Sequence, residues 1–160
     1  MLNSLVTVAQ NAVDFFRKDL AAVVDAMLQI SAAGEQLDQQ TCERALELLI
    51  TLCQQSPARV RRCPSVLGIV QAAFHFMCQL DDDDDETREW MEGKYDDAID
   101  DEEAYVFGDE AMERVLEALG KALLPTVLSC VPPHVADPDW RKRRAAMACV
   151  GAAASGAVSE

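Results

Sequence analysis

Apolar residues recur along this chain at three- and four-residue steps, the spacing that aligns side chains on one face of an α-helix. Six such patterns stand out. The first joins Leu2, Leu5, Val6, Ala9, Val13 and Phe16. The second uses Leu20, Val24, Met27 and Leu28, starts near Arg17 and ends near Gly34. A third, from about Gln39 to Gln55, sets Cys42, Leu46, Leu49, Ile50 and Cys53 on one stripe and Glu43, Arg44 and Glu47 on the other side. Breaks follow at Ser56-Pro57 and Cys63-Pro64, and the second opens a fourth pattern of Val66, Val70, Ala73, Phe74 and Met77 reaching about Leu80. Proline suits a first helical turn because its missing N–H would have no intrahelical acceptor there.

The fifth pattern, from about Asp109 to Leu124, places Met112, Val115, Leu116, Leu119 and Leu123 inward, with Asp109 and Glu110 complementing the dipole of the first turn. Pro125 kinks or ends it, and Thr126 to Val131 continues after a bend. Pro132-Pro133 reads as a stop. The run Asp137-Pro138-Asp139-Trp140 reads as the cap and start of a sixth helix, whose small residues from Gly151 to Gly156 are expected to fray. No stretch reads as a strand, so the expected class is all-α.

The helix spacing carries more information than the helix number. From Arg17 to Pro64 is a step of 47 residues; from Pro64 to Pro138 is 74, or 46 once the 28 residues from Asp81 to Gly108 are set aside. Steps of roughly 40–47 residues per helix pair are those of HEAT repeats. A single pair cannot bury its apolar stripe, so neighbours stack into a curved solenoid. On this scheme residues 1–16 close a preceding repeat and 17–56 form one repeat. Residues 64–131 form the next, containing an acidic loop at 81–108, and 138–156 open a following repeat. Half-repeats at both ends lead to the expectation of a segment from a longer solenoid.

Composition agrees: half the residues are apolar, but only 6% are aromatic, a balance that favours helix interfaces over strands. The charge changes the picture. Fourteen acidic residues against Arg88 and Lys94 between Asp81 and Glu103 give a local net of −12, leaving −2 elsewhere out of a formal −14. That excludes a nucleic-acid-binding face and points to a basic partner or to a solvated tract. The acidic tract holds Asp81, Asp82, Asp83, Asp84, Asp85 and Glu86, then Trp90, then a second cluster with Asp96, Asp97, Asp100 and Asp101. Dense carboxylates repel one another and stay hydrated, yet they attract Lys/Arg-rich surfaces at long range. Trp90 can anchor the loop to its own repeat or pack on the aliphatic stem of a partner lysine. An EF-hand reading is set aside: Asp81, Asp83, Asp85 and Glu92 fit positions one, three, five and twelve, but Glu86 stands where that loop needs glycine.

The six cysteines form no C-x-x-C pair, and only two histidines could join them, so no metal site or cofactor is expected. Cys42, Cys53 and Cys78 sit within apolar patterns and are expected to be buried, reduced thiols. Met1 to Gln10 lacks the charged start and apolar run of a secretory signal, and Ala145 to Val158 is too short and too rich in small residues to span a bilayer. An intracellular setting without membrane contact is the expectation. No phosphate-binding glycine loop, nucleophile elbow or paired histidines occur, and a solvated acidic tract cannot separate pKa values as acid–base catalysis requires. Catalysis is not expected.

Three stretches carry a family resemblance. "LDDDDDETREWMEG", "DEAMERVLEALGKALLPTVLSCV" and "DPDWRKRRAAMACVGAAASG", in this order, resemble the middle of importin-β-type karyopherins. The upstream "ERALELLITLCQQSPARVRR" most resembles the importin-5 (karyopherin-β3) branch. The resemblance implies a receptor shuttling between cytoplasm and nucleus, binding basic nuclear-localisation cargo, the GTPase Ran and nucleoporins. It also implies an acidic loop on the inner surface, at Asp81 through Glu86, Trp90 and, by composition only, Asp96, Asp97, Asp100 and Asp101. Trp140, Arg141 and Arg143 match the family's helix start on that surface. The alternative for these three is structural, with Trp140 packed in the repeat junction and the arginines bonded to neighbouring helix ends. The family's amino-terminal repeats with the main Ran surface, and its carboxy-terminal arch, have no counterpart in this sequence. A HEAT scaffold, or an acidic chaperone for basic proteins, remains the alternative function.

Overall fold

The computed structural model describes residues 1–80 and 104–158. Asp38 shows how locally the chain sets its helix boundaries. Its carboxylate accepts hydrogen bonds from the Thr41 N–H at 2.9 Å and the Thr41 hydroxyl at 2.7 Å, capping a helix that runs Gln39–Gln55. Ser56-Pro57 then stops it, because the ring of Pro57 can only begin a new turn. This helix, α3, lies at the centre of the fold, with nine of its 17 residues buried.

Around it the order is α1 (Leu2–Asn11), a 3-10 turn (Val13–Phe16), α2 (Leu20–Ser31), α3, α4 (Pro57–Val60) and α5 (Val66–Met77). After the undescribed stretch come α6 (Ala104–Leu119), α7 (Leu124–Cys130), α8 (Pro132–Val135) and α9 (Trp140–Val158). No strand occurs among the described residues, as the periodicity predicts. Helices α1, α3 and α6 pack side by side in that order; α2 covers α3, α5 covers α6, and α9 lies against α6, α7, α8 and α5. One core runs through them, from Ala9 and Val24 through Leu46, Leu49 and Phe76 to Met112, Leu116 and Ala145. Helix α8 is tied to α5 by His134 stacking on Phe74, with centroids 4.7 Å apart.

Several predicted boundaries shift. The first pattern does not run as one helix to Phe16: α1 ends at Asn11, and a non-helical Ala12 leads into the 3-10 turn that buries Phe16. The second and fourth helices start at Leu20 and Val66, a few residues after the predicted Arg17 and Pro64.

The largest correction concerns the predicted end of the acidic loop at Gly108. Residues 104–108 are helix, because Ala104 and Gly108 continue the buried stripe of α6 toward its N-terminus. Gly108 is there for close approach. A Cβ at this position would lie 2.4 Å from the Met77 backbone nitrogen and 2.7 Å from the Phe76 carbonyl carbon. The end of α5 and the start of α6 therefore meet backbone to backbone. Nor does Pro125 end this helix. Gly120, at φ +68°, ends it first, in a region that side chains disfavour, and Pro125 sits in the first turn of α7. The predicted fraying after Gly151 is also corrected: α9 continues to Val158, with Ala152 and Ala153 buried.

The thiol expectation holds for Cys42 and Cys53, which are buried, while Cys78 is half-buried. Burial raises the Cys53 thiol to about 12 and the Cys78 thiol to about 11.

Candidate functional site

The acidic residues singled out from the sequence, Asp81 to Glu86, Asp96, Asp97, Asp100 and Asp101, lie outside the described residues, as does Trp90. What the structure describes is the place the segment leaves and the place it returns. Leu80 follows the end of α5, and Ala104 opens α6. The start of α9 touches the chain at Leu80 and at Tyr105, the residue after Ala104.

That start is built by its aspartates. The carboxylate of Asp137 accepts the Asp139 N–H at 2.9 Å, and that of Asp139 accepts the Arg141 N–H at 3.0 Å. These bonds occupy N–H groups that have no intrahelical acceptor. The Asp139 N–H, followed by the Lys142 ammonium, holds the Asp137 carboxyl below its usual range.

Three predicted residues stand here, and they do different things. Arg141 reaches across to the residues that follow α5, its Nε donating to the Leu80 carbonyl oxygen at 2.9 Å. Arg143 folds back on its own lead-in, with Nη1 donating to the carbonyls of Asp137 and Pro138, each at 2.8 Å. Trp140 is 45% exposed, with the Arg141 guanidinium 5.8 Å from its ring centroid.

Two charged contacts were not foreseen. Arg144 donates to both carboxylate oxygens of Asp109 on α6, and its guanidinium lies 4.9 Å from the centroid of the Tyr105 ring. Arg114 of α6 grips Glu47 of α3 with two bonds at 2.7 and 2.8 Å and reaches the Gln54 side chain at 3.3 Å. The Glu47 hydrogen bond raises the Arg114 pKa above its ordinary value. Partners 35 and 67 residues apart leave no mark on local periodicity.

A third feature was legible but passed over. Glu110, Glu113 and Glu117 are exposed along α6 at three- and four-residue steps, on the helix whose Arg114 grips Glu47 of α3. Among the described residues no group of three potential metal-ligating side chains forms, and no helix is long and apolar enough to cross a membrane.

An Importin repeat family model matches residues 34–125, from the turn before α3 through α6 to Pro125. The chain belongs to the Importin repeat family. Over 162 aligned residues it is 27% identical to importin subunit beta-3 of Saccharomyces cerevisiae, an alignment covering 98% of this chain and 14% of that protein. It superposes on karyopherin Kap121p bound to RanGTP with a TM-score of 0.80 at 26% identity, covering 97% of this chain and 15% of that one. On Kap121p bound to Nup53p the TM-score is 0.85 at 25% identity, with the same coverage. The chain thus spans about one-seventh of the length of these relatives. The resemblance to importin-β-type karyopherins and the expected HEAT-repeat architecture are both borne out. The relatives are, by name, an importin subunit and a karyopherin.

Proposed function

We propose that this chain is a working segment of a nuclear transport receptor, one that offers a carboxylate-rich surface to basic cargo. One observation carries the reading: the acidic tract departs from Leu80 and returns at Ala104, between the tightly paired α5 and α6 of an Importin repeat array, beside the exposed Glu110, Glu113 and Glu117. Carboxylates on packed helices are held in place without loss of hydration, and together with the charge of the tract they attract a lysine-rich peptide from a distance. The residues proposed to meet cargo or Ran are Asp81 to Glu86 and Trp90, with Asp96, Asp97, Asp100 and Asp101 adding charge. Trp140, half-exposed at the start of α9, adds an aromatic surface for a lysine stem.

Solved Kap121p structures include complexes with RanGTP, Nup53p and Pho4p. By likeness to them, Ran and nucleoporins are proposed as further partners, and shuttling between cytoplasm and nucleus as the setting. In the proposed repeat division α2 and α3 make one repeat, and α5 and α6 the next. Helix α1 closes the repeat before and α9 opens the one after, which gives the exposed Met147 and Val150 of α9 a neighbour to cover them.

The test is binding of a fluorescent lysine-rich peptide to the whole chain by anisotropy, with and without GTP-loaded Ran. The expected result is binding that weakens when Asp81 to Asp85 become Asn, falls with salt, and is displaced by Ran. Binding that survives both neutralisation and Ran would instead fit a scaffold or a chaperone for basic proteins, and would overturn the transport reading.

A further inference from the structure

Five of the chain's 14 lysines and arginines stand in two short turns, at Arg17, Lys18, Arg59, Arg61 and Arg62. With Asp14 and Asp19 these turns carry a net +3, against −5 for the rest of the chain outside 81–103. The structure joins them. Arg59 of α4 donates to the Asp14 carboxylate at 2.7 Å, across 45 residues of sequence. Arg59, and after it Arg17, hold the Asp14 carboxyl below its ordinary value, so both cations face one carboxylate. The two turns follow the ends of α1 and α3, which pack side by side.

Two features set this patch apart from the cations that hold the fold. Arg114, Arg143 and Arg144 are each bonded to a carboxylate or to carbonyls. Arg17, Lys18 and Arg62 are exposed, and their side chains have no acceptor among the described residues. Arg61 engages the Pro57 carbonyl through Nε at 3.3 Å and stays exposed. Asp25, near the second turn, already accepts the Ser65 hydroxyl. The other feature is Phe15, which is 73% exposed and meets the buried Phe16 edge-on at 5.3 Å. An exposed phenylalanine alone is ordinary. Here it shares a turn with two cations that bond to nothing.

We propose that the joined turns at residues 14–18 and 59–62 dock an acidic peptide segment of a partner protein, one whose apolar side chain covers Phe15. This surface is separate from the carboxylate-rich one and does not rest on the function proposed for it. Cations with uncommitted donors form charge-assisted hydrogen bonds to carboxylates. Charge also selects the kind of anion. A long polyanion such as a nucleic acid meets the repulsion of a chain at −14, whereas a short acidic segment feels the local +3, because screening limits the field to about 10 Å at 0.1 M salt.

The test is anisotropy of the whole chain with a fluorescent peptide of alternating Glu and Asp around one central Leu, at low salt. The triple variant Arg17→Glu, Lys18→Glu, Arg62→Glu is expected to bind about tenfold more weakly or worse. Phe15→Ala is expected to weaken binding about threefold. All four positions are exposed, so the melting curves of these variants should match wild type. Arg44→Glu, on α3, makes the same charge change as Arg62→Glu and is expected to leave binding unaltered.

No binding by the wild-type chain, or binding unmoved by the triple variant, overturns the inference. So does equal weakening by Arg44→Glu and Arg62→Glu, which would report net charge alone. A peptide with Ser in place of Leu that binds as tightly refutes the apolar contact at Phe15. An oligonucleotide of equal charge that binds more tightly than the peptide would assign the surface to nucleic acid and overturn the proposal.

Discussion

Replacing Gly108 with alanine places a methyl group where the backbone of α5 already stands. The Cβ would come 2.4 Å from the Met77 nitrogen, 2.7 Å from the Phe76 carbonyl carbon and 2.9 Å from the Met77 Cα. Ordinary contact needs about 3.5 Å or more, so the helices must separate by roughly 1 Å. None of the three atoms belongs to a side chain that can rotate away. Overpacking of this kind costs about 1–3 kcal/mol, and rigid backbone on the far side argues for the upper end. Alanine returns about 1 kcal/mol through its better helix propensity. The net loss is about 2 kcal/mol, a fall in Tm of roughly 4–8 °C for a chain of this length.

Two other helical glycines serve as controls of opposite expectation. At Gly68 the obstacle is Leu28 Cδ1 at 2.7 Å, the tip of a flexible side chain, so alanine there is expected to be nearly neutral. At Gly151 nothing lies within 4 Å, so alanine is expected to stabilise by about 0.5–1 kcal/mol. Thermal and urea melts followed by circular dichroism give the order Gly151→Ala above Gly68→Ala above Gly108→Ala. A Gly108→Ala chain that melts at or above wild type refutes the close α5–α6 contact.

Other contacts yield further expectations. A double-mutant cycle on Glu47→Gln and Arg114→Met should give a coupling of about 0.5–1 kcal/mol, held down because both side chains are about a third exposed; additive losses would show that the pair does not link α3 to α6. Cys53, with its thiol pushed up to about 12, is expected to resist alkylation of the native chain at pH 8, where about one thiol in 10,000 is ionised. Half-buried Cys78, at about 11, should react first of the two, and the reverse order would contradict the burial. Thr41 holds the Asp38 carboxyl below its ordinary value, so its folded pKa lies under its unfolded one. The stability it contributes is therefore complete above the ordinary carboxylate range and is lost as pH falls through the folded value. Asp38→Ala should lower Tm at neutral pH, by a margin that narrows below about pH 4; a margin constant with pH would rule out a charged cap.

How far the sequence revealed this molecule depends on the range of each interaction. Helix α3 was legible to the residue, because everything that bounds it is local: Asp38 caps it, Ser56-Pro57 stops it, and its stripe repeats between them. Fraying after Gly151 was misread for the opposite reason. Ala152 and Ala153 are buried against neighbouring helices, and small residues show no strong pattern until the surface they meet is known. The start of α6 was hidden by the charges that precede it, while Pro125 drew attention from Gly120, whose positive φ ends the helix first. The acidic tract was evident as composition, and composition names a class of partner without arranging any residue.

The contacts that fix how neighbouring helices sit were the least legible, and they share a property. Gly108 is a poor residue for a helix interior, and Arg114 and Arg144 are long cations in positions only about a third exposed. Each is a costly choice if its own helix is considered alone. In a stacked array the periodic stripe makes each helix, but it leaves the angle and offset between helices loosely determined, since leucine and alanine slide past one another at little cost. A backbone contact allowed only by glycine, or an arginine fork matched to one carboxylate, removes that freedom. Residues that look locally unfavourable inside an otherwise regular stripe are therefore where the shape of this solenoid segment is set. Here Arg114 sets α6 against α3, while Gly108 and Arg144 meet at the junction of α5, α6 and α9.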